Sequence, residues 1–544
     1  MPGQDFQVVI LAGGECKRLY PLTSAGTVKA MLPVGGRPLI SYPLRNLAEA
    51  GIKSCIVVAI GEAVSSSMAS YLAAQEAAGG VSCNIITVPE ECGTADALRL
   101  VAGQVSAESL VVASGDILTD LPLRALVATH QISGALATVL VGKRKTSPTA
   151  ETKPGKAPKG VDYLGLDPSR QLLLFAASSP EVLRDIQLPL AAVQAVGSVT
   201  LHSDLQDQHL YVLSRSVLKL LVAKPALSSL KLDFIPWLTR HQLKHSQPAA
   251  AAAGGFAGRA SAGGAAAGGA TGSSFLLLSR QHSGGSFGSL TSAGSLTAAG
   301  MPAAAADGGD GSSGAAAGSG TGNSRSAAAA GSGGAAGGQG SKAAAAAAAG
   351  SNDGDGEGGG AAARPPMPGD GFMALSHSGS AAASSRAGRV GVYLVPEGHY
   401  CARVNTVQAY GDVNREVAAA DTALHLTGMS VSKYDNVVPP SVSLGTKATV
   451  GPWCIVGEDC VIGDKSSVKR TVMGRNCKLG ANVKLISCVL MDGVSIADGS
   501  HVQNSIICSG AAVQERCTLK DCQVGPGFVV AQASEHKAET LART

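Results

Sequence analysis

Apolar residues fall along this chain in three different rhythms. From Phe6 to Ala12 they run almost unbroken, FQVVILA, the pattern of a strand covered on both faces, and Gly13 and Gly14 follow at once. SYPLRNLAEAG then reads as a helix with Ser41 as N-cap, Pro43 in its first turn and Gly51 just past its end. SCIVVAI and CNIITV supply further buried strands. Strands alternating with helices predict an α/β domain, Rossmann-like, with a mainly parallel sheet between helices.

Between Pro248 and Gly388 this rhythm is lost. The stretch consists of Ala, Gly and Ser runs, with 36 of the chain's 70 glycines, four phenylalanines and no Tyr or Trp. So few apolar side chains cannot offset the entropy of ordering, and a disordered insertion is expected over residues 248–388. That leaves 247 residues before it and 156 after it, enough for a core on each side.

The third rhythm begins at Leu444. Leu444, Val450, Val456, Ile462 and Val468 stand six apart, four of them followed by glycine. The steps then run five, six, six through Met473, Leu479, Leu485, Leu490, Ile496, Val502, Ile507, Val513, Leu519 and Val524. Six-residue spacing is one short side of a parallel β-helix, and three sides close a rung of 17 residues. Because residues two apart on a strand share a face, Cys454, Thr471, Cys488, Ser505 and Cys522 are expected to line the core as small inward fillers. Rungs stack about 4.8 Å apart, so Cys488 and Cys522 lie too far apart to bond, whereas Cys460 and Cys477, one rung apart, lie close enough. The flat faces and sheet edges of such a prism ask for cover, which predicts a docking surface for a protein partner. The expected boundaries are an α/β domain at 1–247, the insertion at 248–388, a connector at 389–440, the β-helix at 441–530 and a tail at 531–544.

Charge and cysteines narrow the function classes. A net charge of +4 over 544 residues gives no basic field that would favour nucleic acid or a lipid surface. No apolar run reaches the roughly 18 residues of a membrane span, and the N-terminus passes straight into a strand pattern, so a cytosolic protein with no membrane partner is expected. The twelve cysteines form no CxxC pair and no His/Cys cluster at zinc spacing, which points to reduced thiols and no structural metal.

The candidate chemistry sits at the strand ends. Gly13 and Gly14 would let backbone N–H groups approach an anion, with Arg18 and Lys29 adding positive charge; a tight turn beside two solvated cations is the plain alternative. In GTADAL, Gly93 opens a turn where Thr94 can cap a helix. VVASGD ends a strand in Asp116 at the C-terminal edge of the sheet, where a lone carboxylate would hold a metal only weakly.

The run from Leu11 to Ile40, LAGGECKRLYPLTSAGTVKAMLPVGGRPLI, resembles the signature of sugar-1-phosphate nucleotidyltransferases. That resemblance implies a nucleotidyltransferase fold in which the Gly93 turn faces a nucleobase and Asp116 binds magnesium. It also implies attack of a sugar phosphate on the α-phosphate of a nucleoside triphosphate. The chain departs from the pattern at Cys16 and Lys17, where the signature has glycine and a hydroxyl residue, and at Val28 and Ala30, where prolines usually flank Lys29. HLYVLS ends in Ser214 where the resemblance implies a second metal-binding Asp, and LGLDPSRQLLLFAASSP lacks the sugar-phosphate element. Losses at separate places with the core strands kept imply a scaffold with a degraded site.

YLVPEGHYCARVNTVQAYGDVNREV and VGEDCVIGDKSSVKRTVMGRNCKLG, with the order of parts, resemble the gamma-subunit family of eukaryotic translation initiation factor 2B, whose prism is a left-handed β-helix. That implies a non-catalytic subunit of the guanine nucleotide exchange factor acting on initiation factor 2. Its implied partners are the epsilon subunit, the alpha, beta and delta subunits in a larger complex, and factor 2 as substrate. No cofactor and no catalytic residue is implied on this chain. Gly13, Gly14, Arg18, Lys29, Gly93, Thr94 and Asp116 remain as a remnant with the means to hold a nucleotide as a ligand. The alternative is a sugar-1-phosphate nucleotidyltransferase, of mannose-1-phosphate guanylyltransferase or glucose-1-phosphate adenylyltransferase type, or a regulatory subunit of one.

Overall fold

The structure, a computed structural model, describes residues 6–13, 16–24, 26–145, 160–178, 185–242, 275–279, 290–291, 388–419 and 422–542. Its first body is built on a seven-stranded sheet: β1 (Phe6–Gly13), β2 (Ser54–Ile60), β3 (Ser82–Val88), β4 (Ser109–Ser114), β5 (Ala137–Lys143), β6 (Leu205–Ser214) and β7 (Val390–Leu394). The spatial order is β7-β5-β6-β4-β1-β2-β3, with β6 antiparallel to both neighbours and the other pairs parallel.

The unbroken apolar runs are explained by cover on both faces. Val9, Val58, Val112 and Tyr211 enter one core, while Ile10, Val57, Val111 and Val212 enter the other. Helices α1 (Ser41–Glu49), α2 (Glu62–Ala77) and α4 (Leu123–Ser133) cover the second core through Leu47, Met68 and Leu126. Helix α3 (Thr94–Val101) and the helices Arg215–Val222 and Ile235–His241 cover the first through Leu98, Leu221 and Leu238. Ser41 is the first helical residue of α1 and not its cap, which is Ile40.

Several expected boundaries move. Strand β7 lies beyond the insertion, yet it extends the first sheet by pairing with β5 from Val390↔Ala137 to Leu394↔Val141. Cys401–Arg403 likewise pairs with Ile117–Thr119. The α/β domain therefore does not end at 247, and residues 389–403 are part of it and not of a connector. The reason is the edge of β5: a buried strand needs a ladder partner, and Val390 and Val392 provide it. Inside the expected insertion, Phe275–Ser279 pairs antiparallel with Asp185–Pro189, and Leu290–Thr291 pairs with Ser198–Val199. Disorder is thus corrected at those seven residues, where the short apolar run FLLLS is hidden by the average composition. Gly388, whose N–H donates to Gly134 O at 3.0 Å, is ordered too, and the rest of that expectation lies outside the described residues.

The second body is a three-sided parallel β-helix. Ile455, Val472, Val489, Ile506, Gln523 and Thr540 follow one another at 17-residue steps, and the first rung has 18. It starts at Asn436 and reaches Leu541, so the expected limits of 441 and 530 are both too narrow; Glu535–Lys537 pairs with Thr518–Lys520 where a tail was expected. The column Cys454, Thr471, Cys488, Ser505 and Cys522 is at most 1% exposed and points inward as its spacing predicts. Corners recur at Asp459, Asn476, Gly493, Gly510 and Gly527 with φ between 56° and 70°, a left-handed conformation that suits glycine, Asn and Asp.

A third core joins the bodies. In helix α5 (Val407–Ala418), capped by the Thr406 side chain on the Ala409 N–H at 3.1 Å, residues Tyr410, Val413 and Val417 meet Leu32, Val34 and Tyr42 on one side and Ile455, Val472 and Val489 on the other. One β-helix face that asked for cover thus receives it from the chain itself. Gly35, at φ +54°, lies so close that an added Cβ would stand 2.6 Å from Val417 Cγ1, and its N–H donates to buried Asn414 Oδ1 at 3.0 Å. Among the described residues no helix is long and apolar enough to cross a membrane.

Candidate functional site

Strand β1 ends at Gly13, at φ +76°, and the turn opens on a cavity of about 190 Å³ whose lining includes Leu11, Lys29, Thr94, Ser114, His209 and Arg403. That is small beside the roughly 300–1,000 Å³ of typical ligand pockets. Gly14 lies outside the described residues. Arg18 stands exposed on the three-residue turn Lys17–Leu19, outside the cavity lining. Cys16 adopts an extended backbone, φ −125°, and packs against the third core.

Asp116 is 2% exposed and fully engaged. Arg403 donates from Nε to Oδ1 at 3.0 Å and from Nη2 to Oδ2 at 2.9 Å, Ser114 Oγ donates to Oδ1 at 2.6 Å, and Lys29 Nζ donates to Oδ2. Burial opposes the charge on Asp116, but Arg403 and Lys29 hold its carboxyl far below the usual carboxylate range. Magnesium, which the fold family implies, does not fit this arrangement: both oxygens are taken by protein donors and two cations already neutralise the charge.

A second buried cluster lies beside the first. Asp162 accepts Lys231 Nζ at 2.7 Å and the Asp207 N–H at 3.1 Å, while Asp207 accepts the His209 N–H at 2.7 Å and Tyr211 Oη at 2.8 Å. Burial pushes the Asp207 carboxyl up against the pull of Lys231. His209 is held well below its ordinary value by burial and by Arg403 and Lys231, so it is neutral near pH 7. Among the described residues, Lys29, Arg403 and Lys231 are thus paired with Asp116 and Asp162, so these cations are engaged by the protein's own carboxylates and not free for a triphosphate.

The Gly93 turn is also occupied. An added Cβ on Gly93 would meet the Ser228 carbonyl oxygen at 2.3 Å, and Ser228 O accepts the Ala95 N–H at 2.8 Å. Gly93 is itself the N-cap of α3, its N–H donating to Asp96 Oδ2 at 3.0 Å. Thr94 does not cap the helix; its Oγ1 accepts the Leu230 N–H at 2.8 Å. Chain segment 228–230 therefore lies where the resemblance implies a nucleobase, and it explains the glycine.

Ser214 is a correction. Because β6 runs antiparallel to β4, Ser214 pairs with Ser109 at the far end of the sheet, and the residue that β6 brings to the cavity is His209, at φ +53°. Its hydroxyl does not stand where a metal ligand would. Sequence reading missed Arg403, His209, Asp207, Asp162 and Lys231. A usable signal was the charge imbalance of Lys29 beside a lone Asp116 and the single arginine in the strand CAR, whose neighbours are small.

Residues 7–151 match the family model for nucleotidyl transferase, and residues 435–535 match the model for the EIF2B subunit epsilon LbH domain. Sheet, glycine turn and 17-residue rungs together define a nucleotidyltransferase domain followed by a left-handed β-helix. The chain is similar to translation initiation factor eIF2B subunit gamma of Schizosaccharomyces pombe, 28% identical over 44% of this chain and 53% of the relative. It is similar also to the Dictyostelium discoideum protein of that name, 25% identical over 46% and 62%. Within that class, the similarity runs to eIF2B subunit gamma proteins, with the EIF2B subunit epsilon LbH model matching the β-helix. A mannose-1-phosphate guanyltransferase of Debaryomyces hansenii is 32% identical over 25% of this chain and 37% of that protein. The chain spans just over half to about three-fifths of the eIF2B relatives.

Proposed function

We propose that this chain is a non-catalytic subunit of the guanine nucleotide exchange factor that reloads initiation factor 2 with GTP. In this reading it pairs with an epsilon-type subunit, joins alpha, beta and delta subunits in the cytosol, and takes factor 2 as substrate without a cofactor of its own. The observation that carries the reading is the neutralised Asp116: a nucleotidyl-transfer site needs that carboxylate free for a divalent ion, and here Lys29 and Arg403 hold it. The nucleotidyltransferase fold then serves as a scaffold whose site is degraded. Affinity purification of native complexes followed by mass spectrometry tests this; epsilon and factor 2 subunits are the expected companions, and recovery without them contradicts it. Retention of a nucleotide on Gly13, Lys29 and Thr94 is a separate proposal, and calorimetry of the full chain with GDP and GTP decides it by the presence or absence of binding heat.

The second reading, sugar-1-phosphate nucleotidyl transfer, is favoured by the likeness to mannose-1-phosphate guanyltransferase. It requires Asp116 to exchange Lys29 and Arg403 for magnesium, and pyrophosphate release from hexose 1-phosphate and nucleoside triphosphate with magnesium distinguishes the two.

A further inference from the structure

At the opening ends of β2 and β3, two thiols face each other. Cys55 and Cys83 are register partners on adjacent parallel strands, and their Sγ atoms lie 3.6 Å apart. Neighbouring strands are spaced by about 4.8 Å, inside the roughly 4.4–6.8 Å Cα window of disulfides. Strand β3 is the last strand of the sheet, so the pair sits at an edge. Cys55 is buried at 5% exposure, while Cys83 is partly exposed. The one-rung pair of the β-helix, Cys460 and Cys477, is by contrast sealed inside the prism at 0% exposure.

We propose that Cys55 and Cys83 are an oxidative modification site, closed by a hydroperoxide into a disulfide that staples β3 to β2. The roles within the pair are unequal. The hydrogen bond shared with Cys55 holds the Cys83 thiol below its ordinary value against burial and Glu76, while the same bond and burial push Cys55 up. Cys83 is therefore both the more exposed sulfur and the better nucleophile. Its thiolate attacks the peroxide O–O bond, taking one oxygen to form a sulfenic acid and releasing the other as water once a proton is supplied. Cys55 sulfur then attacks the Cys83 sulfur, the S–O bond breaks, and hydroxide leaves with the Cys55 proton as a second water. In sum, two thiols and one hydrogen peroxide give one disulfide and two waters.

The test treats the full chain with hydrogen peroxide, blocks remaining thiols with N-ethylmaleimide, and reads peptides by mass spectrometry without reduction. The expected product links the Cys55 and Cys83 peptides, is lighter than their sum by two hydrogens, and disappears on reduction. In Cys55→Ser, Cys83 should accumulate as a sulfenic acid captured by dimedone; in Cys83→Ser, Cys55 should stay reduced at the same dose. Three results would overturn the proposal: Cys83 passing to sulfinic acid in the unmodified sequence while Cys55 remains blocked by maleimide, Cys83 linking to a different cysteine, or both thiols staying reduced at doses that oxidise Cys92. All three are read on the natural sequence, so they stand even where a variant folds poorly.

Discussion

Replacing Asp116 by alanine removes the buried counter-ion of two partly buried cations, Lys29 and Arg403, whose side chains are only 15% and 12% exposed. Little solvent reaches the group, so the small values typical of surface pairs do not apply. Removing one partner of a buried ion pair costs about 3–5 kcal/mol, because the charge left behind is neither solvated nor paired. Set against the roughly 5–15 kcal/mol that holds most domains together, this is a large fraction. Urea unfolding of the full chain followed through the α/β domain should show a midpoint lowered by that free energy divided by the slope, with the slope unchanged. Arg403→Met alone should cost less, since Lys29 still pairs with Asp116. Arg403→Met combined with Asp116→Asn should be less destabilised than the sum of the single changes, a coupling typical of directly paired residues. If Asp116→Ala stays within about 0.5 kcal/mol of the natural sequence, the ion pairs do not stabilise the fold and the reasoning fails; it fails equally if magnesium raises the midpoint of the natural sequence and not of the variant, since Asp116 is then a metal ligand.

Gly93→Ala should destabilise by about 1–3 kcal/mol, because the new Cβ meets the Ser228 backbone oxygen at 2.3 Å; a thermal-melt shift near zero would mean that segment 228–230 does not lie over the turn. Val489→Lys places a charge in the core between the β-helix and α5, and should cost several kcal/mol and speed hydrogen exchange in α5 before the sheet. Burial lowers His130 from 6.5 to about 4, so the folded state resists a proton that the unfolded state accepts. Its contribution is intact above pH 6.5 and falls by about 1.4 kcal/mol per pH unit down to about pH 4. His130→Leu should flatten that part of the stability curve; an unchanged slope contradicts the assignment.

The repeating parts were the most legible. A 17-residue period fixes the β-helix because each rung must present the same residue to the same corner, and the inward cysteine column follows from strand alternation alone. The outward column Ile455, Val472, Val489 and Ile506 follows the same period and was readable as a covered face, although which element covers it was not. Strand β7 escaped because pairing across a long insertion leaves no local trace; only the unmet edge of β5 requires it. The candidate site was half legible. Motif letters located Gly13, Lys29, Gly93 and Asp116, but their present partners, Arg403 and Ser228, come from distant segments. Ser214 went astray because its strand's direction decides which end reaches the cleft, and a short apolar run carries no direction.

The claim on which the rest depends is that the cleft has lost its metal-dependent reaction. Its most direct test is steady-state pyrophosphate release by the purified full chain with mannose 1-phosphate or glucose 1-phosphate, each nucleoside triphosphate and magnesium. The neutralised Asp116 predicts release no faster than without protein; sustained turnover that is lost in Asp116→Asn would contradict it.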